Sequence, residues 1–104
     1  MRNKLLPLSE TMHYILLVLR EPLHGYAIMQ VIREMSENDV NIAAGTLYGA
    51  IENLKKHQYI RSLSDALDRR KVYIITELGE EVLKVENERL KHLVKLYEDG
   101  PKSN

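Results

Sequence analysis

Apolar residues recur at helical spacing in three segments of the first half of the chain. The first segment runs from Ser9 to Arg20, with apolar side chains at positions 12, 15, 16 and 19. A second segment fits Tyr26 to Met35, with apolar side chains at positions 28, 31, 32 and 35 on its inner face. A third, from about Ala44 to His57, has them at positions 47, 50, 51 and 54. Because apolar residues three and four apart share one helix face, the pattern predicts three amphipathic helices.

Polar residues and proline mark where these helices begin and end. Ser9 is placed to cap the first helix, and Pro22 ends it. The stretch from Ser36 to Asp39 is a polar connection after the second helix. The next three residues, Val40 to Ile42, have the composition of a short extended piece.

The pattern changes in the second half of the chain. Tyr59 to Leu63 and Lys71 to Ile75 are rich in tyrosine and aliphatic side chains, and a polar, charged stretch separates them. Such a pattern predicts two strands joined by a loop. Thr76 can then cap a final helix that runs to about Glu98, before Gly100 and Pro101 stop it. At 1.5 Å per residue this helix is about 35 Å long.

The predicted fold is therefore mainly α with a small β-hairpin. Three helices followed by a hairpin are the layout of a winged helix-turn-helix, in which the third helix enters the DNA major groove and the hairpin, or wing, lies against the DNA backbone. We accordingly predict a winged helix-turn-helix DNA-binding domain over residues 1–75. Residues 76–104 form the C-terminal dimerisation helix and a short tail.

The outward side of the third helix has the chemistry of a DNA-reading surface. Its small residues permit close approach, its polar side chains can bond base edges or phosphates, and the helix N-terminus favours phosphate. Any amphipathic helix has a polar face, however, whether or not it binds DNA. The residues that we expect to contact DNA from this helix are Gly45, Thr46, Tyr48, Gly49 and Asn53.

The distribution of charge supports a basic wing on a chain with no net charge. The 15 basic side chains balance the 15 acidic ones over the full sequence. Within residues 61–75, however, four basic side chains stand against two acidic ones. Arg69, Arg70 and Lys71 lie where the loop rejoins the second strand, a position from which a wing contacts phosphates. Because salt screens charges beyond about 8 to 10 Å, DNA at the wing experiences this local excess.

The final helix has an apolar stripe that covers about half of its circumference. A domain of about 75 residues is too small to bury a stripe about 35 Å long, so we expect part of it to pack on a second copy of the chain. Within this half, Glu86 and Arg89 have the spacing to pair with each other or across a dimer. The residues expected at the dimer interface are Leu83, Leu90, Leu93, Val94 and Tyr97.

Other function classes find little support in the composition. There is no cysteine, which excludes disulfides and thiolate metal sites and is compatible with a reducing cytoplasm. The four histidines are scattered along the chain, and no glycine-rich phosphate loop is present. The longest apolar run, Tyr14 to Leu19, is far too short to cross a membrane. We predict a cytoplasmic protein that is not an enzyme, with no catalytic residue, metal or cofactor.

Three motifs resemble, in order and spacing, those of PadR-like transcriptional regulators. They are His24-Gly25-Tyr26, Gly45-Thr46-Leu47-Tyr48 and the run from Arg70 to Gly79. The resemblance covers about residues 8–98 and is to the short type of regulator, with a single C-terminal helix. It implies a dimeric bacterial or archaeal repressor that binds a palindromic operator in double-stranded DNA.

The same resemblance implies particular roles and shows departures from the family pattern. Tyr26 would stand near a phosphate, and a small hydrophobic or aromatic effector would enter near the dimer interface. Because the chain has neither Trp nor Phe, aromatic stacking on an effector would rely on tyrosine, with Tyr14 and Tyr97 as the candidates; both residues also suit the core or the dimer interface. Ala43, before the third helix, has no capping side chain, and Gln58 occupies the usual glycine after it. The alternative is a protein-interaction module that uses a winged-helix scaffold and the C-terminal helix without specific DNA binding.

Overall fold

The computed structural model describes residues 6–64 and 70–100 of the chain. The four predicted helices and both hairpin strands are present, together with one further short strand. In chain order the elements are α1 (Glu10–Val18), β1 (Leu23–His24), α2 (Gly25–Met35), α3 (Ala44–Lys56), β2 (Ile60–Ser62), β3 (Val72–Ile75) and α4 (Glu77–Asp99).

Side-chain caps start the two helices for which the sequence predicts them. The hydroxyl oxygen of Ser9 accepts a hydrogen bond of 3.1 Å from the Met12 amide at the start of α1. The hydroxyl of Thr76 accepts one of 3.0 Å from the Gly79 amide and donates one of 2.6 Å to the Gln58 carbonyl. Thr76 therefore both caps α4 and ties its first turn to the end of α3.

The sheet has three antiparallel strands in the order β1-β3-β2. The sequence pattern does not predict strand β1, because a strand of two residues is too short to show alternation. It exists because Leu23 and His24 pair with Tyr73 and Val72 on the free edge of β3. The additional pairing attaches the segment before α2 to the wing.

The short extended piece predicted at Val40 to Ile42 does not pair as a strand. The backbone amide of Val40 donates instead to the hydroxyl of Ser36, at 2.9 Å. The Val40 and Ile42 side chains pack against the core from an irregular connection. Their apolar character therefore reflects burial and not strand pairing.

The end of α3 keeps a left-handed turn although glycine is absent. Gln58 has a φ of 64°. Its amide donates to the Lys55 carbonyl, and the Tyr59 amide donates to the Leu54 carbonyl, both at 2.9 Å. This pair of hydrogen bonds is a Schellman motif, which closes the helix and turns the chain into β2.

The hydrophobic core lies between α1, α2, α3, the sheet and the first half of α4. Leu16, Ile32 and Ile51 are among its fully buried members. Met35, predicted on the inner face of α2, is half exposed because it is the last residue of that helix. In α4, buried positions stop at residue 86, and the second half of the helix extends the molecule to 62 Å along its longest axis.

Glu86 connects the N-terminal segment to α4. Only 1% of this residue is exposed. Its carboxylate accepts a hydrogen bond of 2.6 Å from the Leu8 amide and two, of 2.8 and 3.2 Å, from the Arg89 guanidinium. The hydrogen bonds from Arg89 lower the pKa of Glu86, burial opposes this effect, and the Leu8 amide lowers the pKa further. Of the two pairings that the sequence allows, the one within the chain is formed.

Candidate nucleic-acid interface

One side of α3 packs in the core and the opposite side faces solvent. The buried residues are Leu47, Ala50, Ile51 and Leu54. The five residues predicted to contact DNA from this helix are all exposed, namely Gly45, Thr46, Tyr48, Gly49 and Asn53. A methyl group built on Gly45 or on Gly49 would meet no atom within 4 Å, so the backbone is bare on this side of the helix.

The start of α3 lacks a side-chain cap. Ala43 is the N-cap residue and forms no side-chain hydrogen bond, as the sequence indicates, although its carbonyl accepts from the Leu47 amide. The first amides of a helix carry a partial positive charge and suit an anionic partner. An uncapped start on an exposed helix leaves these donors available to phosphate.

A cleft of about 470 Å³ lies between α3, the start of α2 and the start of β3. Its walls come from three segments that are distant in the sequence. They bring together four residues that we predicted separately as DNA contacts: Tyr26, Tyr48, Arg70 and Lys71. Arg69, the remaining predicted contact in the wing, lies outside the described residues.

Glycine and histidine at the start of α2 shape this cleft. The Tyr48 ring lies against Gly25, since a Cβ atom built on Gly25 would fall 2.5 Å from the Tyr48 hydroxyl oxygen. His24 is the N-cap of α2, and its Nδ1 accepts a hydrogen bond of 3.4 Å from the Ala27 amide. An accepting Nδ1 places the proton of a neutral imidazole on Nε2, which is then a hydrogen-bond donor. From the sequence, His24 is expected to be a turn residue satisfied by the backbone, and it also lines the cleft.

Charged and aromatic groups continue from the cleft along α3. Lys55 Nζ lies 5.9 Å from the centre of the Tyr73 ring and 3.7 Å from Glu52 Oε1. Burial raises the pKa of the Tyr73 hydroxyl, and the Glu52 carboxylate raises it further. The phenol therefore remains protonated and neutral at physiological pH.

Glu52 is an exposed residue of α3 that is not among the DNA contacts expected from the sequence. Its side chain is 71% exposed. It lies four residues after Tyr48 and three after Gly49, so a helical wheel places it between two predicted contacts. The helical spacing of the sequence alone therefore places Glu52 on the exposed side of α3.

The second half of α4 exposes a row of large apolar side chains. Leu90, Leu93 and Val94 are all exposed, and Tyr97 is 89% exposed. Leu83, which we also expected at the dimer interface, is only 3% exposed and belongs to the core of its own chain. That expectation is wrong because the N-terminal half of α4 packs against α1 and β3. The uncovered face starts further along the helix.

Neither a metal site nor a membrane span occurs in the described part of the chain. Over residues 6–64 and 70–100, no group of three or more acidic or histidine side chains is placed to hold a metal ion. Among the helices described, none is both long and apolar enough to cross a bilayer.

Comparison with known families gives one match over most of the core fold. Residues 15–85 match the model of the Transcriptional regulator PadR-like family. The chain is also similar to an uncharacterized 37.1 kDa protein in transposon Tn4556 of Streptomyces fradiae, with 37% identity over 65 residues. These residues are 62% of this chain and 18% of the other, so the chain spans less than a fifth of that relative.

Solved structures show the same architecture. A transcriptional regulator from Clostridium thermocellum is 27% identical and has a TM-score of 0.79, over 98% of this chain and all of that one. The PadR protein of Bacillus subtilis, whose structure contains operator DNA, has a TM-score of 0.62 and 23% identity, over 75% of this chain and 46% of that one. At this identity, the Bacillus protein shows a common fold.

Proposed function

The chain belongs to the PadR-like family of transcriptional regulators, and we propose that it is a ligand-responsive, homodimeric repressor that binds a palindromic operator. In this proposal α3 enters the major groove of the DNA. The wing lies against the sugar-phosphate backbone. The effector binds beside the dimer interface.

The observation that carries the proposal is the cleft between α2, α3 and β3. Two cations, Arg70 and Lys71, and two tyrosines, Tyr26 and Tyr48, line this cleft although they come from three segments that are distant in the sequence. Cations and hydroxyl donors are the groups that proteins use to contact phosphates. The same surface continues onto the uncapped, glycine-containing side of α3. One DNA strand could therefore meet phosphate contacts and base-reading groups on one continuous surface.

The related Bacillus protein supports DNA as the partner. That PadR was solved with operator DNA, and its fold matches 75% of this chain. Winged helices that bind operators insert the third helix in the major groove. The exposed residues of α3 have the small and polar character that such insertion needs.

The uncovered face of α4 supports the homodimer. Soluble monomers rarely expose a continuous apolar row of this kind. A second copy of α4 would cover Leu90, Leu93, Val94 and Tyr97 and place the two winged helices on opposite sides of a twofold axis. Two symmetric readers bind two half-sites, which is why the operator is expected to be palindromic.

A cavity of about 420 Å³ between α1 and α4 supports a small effector. Tyr14 and Leu17 of α1 line one wall, and Arg89 and Leu90 of α4 line the other. Because Leu90 also belongs to the uncovered face, an occupant of this cavity would lie beside the dimer interface. The aromatic and aliphatic side chains suit a small hydrophobic or aromatic molecule. The lining also includes the polar side chains of Glu10 and His13.

Selection from a library of random duplexes tests this function. The purified full chain should enrich a palindrome whose half-sites are about 10 base pairs apart, or a multiple of that spacing. A reporter promoter that contains the enriched site should then fall in activity when the protein is produced. Enrichment of no motif would contradict operator binding, and a rise in reporter activity would contradict the repressor role.

A further inference from the structure

Glu52 lies on the line of α3 that points most directly away from the core. Residues 45, 49, 52 and 56 follow the spacing i, i+4, i+7 and i+11, which places them along one side of a helix. All four are exposed, and the buried residues Leu47 and Leu54 lie on the opposite side. The first two are glycines, so Glu52 is the first residue on this line with a side chain.

Lys55 balances the charge of Glu52 but does not form a hydrogen bond with its carboxylate. Lys55 Nζ lies 3.7 Å from Glu52 Oε1, which is within ion-pair distance but too long for a hydrogen bond. Lys55 itself leans toward the Tyr73 ring, away from the outward line of α3. The nearby ammonium lowers the cost of bringing a carboxylate close to DNA, and the oxygens remain available as acceptors.

A carboxylate at this place distinguishes the four bases by their edges in the major groove. Cytosine presents an amino group as a donor, whereas guanine presents two acceptors and thymine an acceptor and a methyl group. Adenine has an amino group, but its neighbouring N7 acceptor repels a carboxylate. Only cytosine offers a donor without an adjacent acceptor.

We propose that Glu52 is a specificity-determining residue, whose carboxylate accepts a hydrogen bond from the N4 amino group of one cytosine in each operator half-site. This inference rests on the proposed function, because it requires α3 to enter the major groove. The inference goes beyond the proposed function because it assigns one base to one side chain. Glu52 also rejects guanine and thymine at that position, since their acceptors would face its negative charge.

Affinities of single-base operator variants test the assignment. Fluorescence anisotropy would compare the full chain with Glu52→Ala and Glu52→Gln on the selected operator and on duplexes that carry each base at each half-site position. The wild type should bind about tenfold more weakly when one particular cytosine is replaced, the size of a single good base contact. Glu52→Ala should lose this discrimination while it keeps that at other positions. Glu52→Gln should change the preference there to adenine, whose N6 and N7 suit a carboxamide.

Glu88→Gln is the matched control, because it removes one exposed carboxylate from α4. It should leave the base preference at every position unchanged. If both Glu52 variants keep the wild-type preference at every position, or tighten binding to all duplexes equally, Glu52 is not a base reader. If the wild type itself binds no duplex, the proposed function fails as well. These two failures are therefore distinguishable.

Discussion

The Tyr48 ring of α3 lies directly against the backbone of Gly25, the first residue of α2. A Cβ atom built on Gly25 would be 2.5 Å from the hydroxyl oxygen of Tyr48 and 2.9 Å from two of its ring carbons. Gly25 does not have a positive φ, so its backbone conformation suits any residue. A side chain at position 25 therefore conflicts with the tyrosine ring and not with the backbone conformation.

Gly25→Ala should weaken DNA binding through Tyr48. The added methyl group would displace the outer end of the ring, which is partly exposed and free to move, so the free energy of unfolding should change by less than about 1 kcal/mol. Operator affinity should fall by about tenfold, a coupling of about 1.4 kcal/mol. Fluorescence anisotropy titrations measure the affinity for the operator, and thermal unfolding measures the stability of the fold.

A double-mutant cycle isolates this contact. Once Tyr48→Ala has removed the ring, adding Gly25→Ala should cost no further affinity. An equal loss in both backgrounds would show that the methyl group acts on DNA directly or on α2 itself.

The buried carboxylate of Glu86 should contribute to stability through two separate partners. Glu86→Leu leaves the Leu8 amide without an acceptor, which should lower the free energy of unfolding by about 1 to 3 kcal/mol. Glu86→Gln keeps a carbonyl oxygen for that amide and should cost less. Chemical denaturation of the two variants gives the order, and equal stability of both would contradict the assigned role of the Leu8 hydrogen bond.

Stability should fall on acidification below neutral pH. The pKa of Glu86 is lower in the folded protein than in the unfolded chain, so the folded state favours the charged carboxylate. This contribution is complete above the ordinary glutamate pKa and disappears as the pH falls through the folded value. Burial also lowers the pKa of His13 below its ordinary 6.5, although the Glu86 carboxylate acts in the opposite direction. The neutral, part-buried His13 imidazole therefore also stabilises the fold, and this contribution is lost as acid protonates the ring. In Glu86→Gln, the loss below about pH 5 should be smaller; an unchanged pH profile would contradict this account.

The exposed face of α4 should hold two copies together. Light scattering should give twice 12.1 kDa for the wild type at micromolar concentration. Leu93→Glu would place a charge in the apolar contact and should give a monomer, whereas Lys95→Glu, a change at another exposed position of the same helix, should remain dimeric. A wild-type monomer would contradict the proposed interface.

Gln58→Gly should stabilise the end of α3. Gln58 has a φ of 64°, which is unfavourable for any residue with a Cβ atom. Glycine adopts this conformation without that strain but loses more entropy on folding, so we expect a net gain of about 0.5 to 1 kcal/mol in the free energy of unfolding. Thermal unfolding against Gln58→Ala, which keeps the Cβ atom, provides the comparison. A loss of stability in Gln58→Gly would show that the Gln58 side chain outweighs the strain.

The helices were predictable from the sequence because their signals are local. Ser9 and Thr76 cap the helices that they precede, and the apolar spacing of α3 correctly identified its buried side. The failures concern relations between distant segments. Strand β1 depends on pairing with β3, and the apolar residues after α2 are buried by a connection whose path the local pattern does not encode.

The same division applies to the site. The exposure of the α3 residues follows from one helical wheel, whereas the meeting of Tyr26 and Tyr48 with the wing cations requires the complete fold. Leu83 was misplaced because a stripe on a wheel does not show where the core ends along the helix. The contact between Gly25 and Tyr48 joins residues 23 positions apart and has no local signal.

The salt dependence of duplex binding tests the central claim most directly. If Arg69, Arg70 and Lys71 of both copies contact phosphates, about six counterions are released, and the logarithm of the binding constant should fall with the logarithm of salt concentration with a slope of about −5. Arg70→Ala should reduce this slope by about 2, because one contact is lost from each copy. A slope near zero, or the absence of binding to any duplex at low salt, would contradict the account of this protein as a DNA-binding regulator.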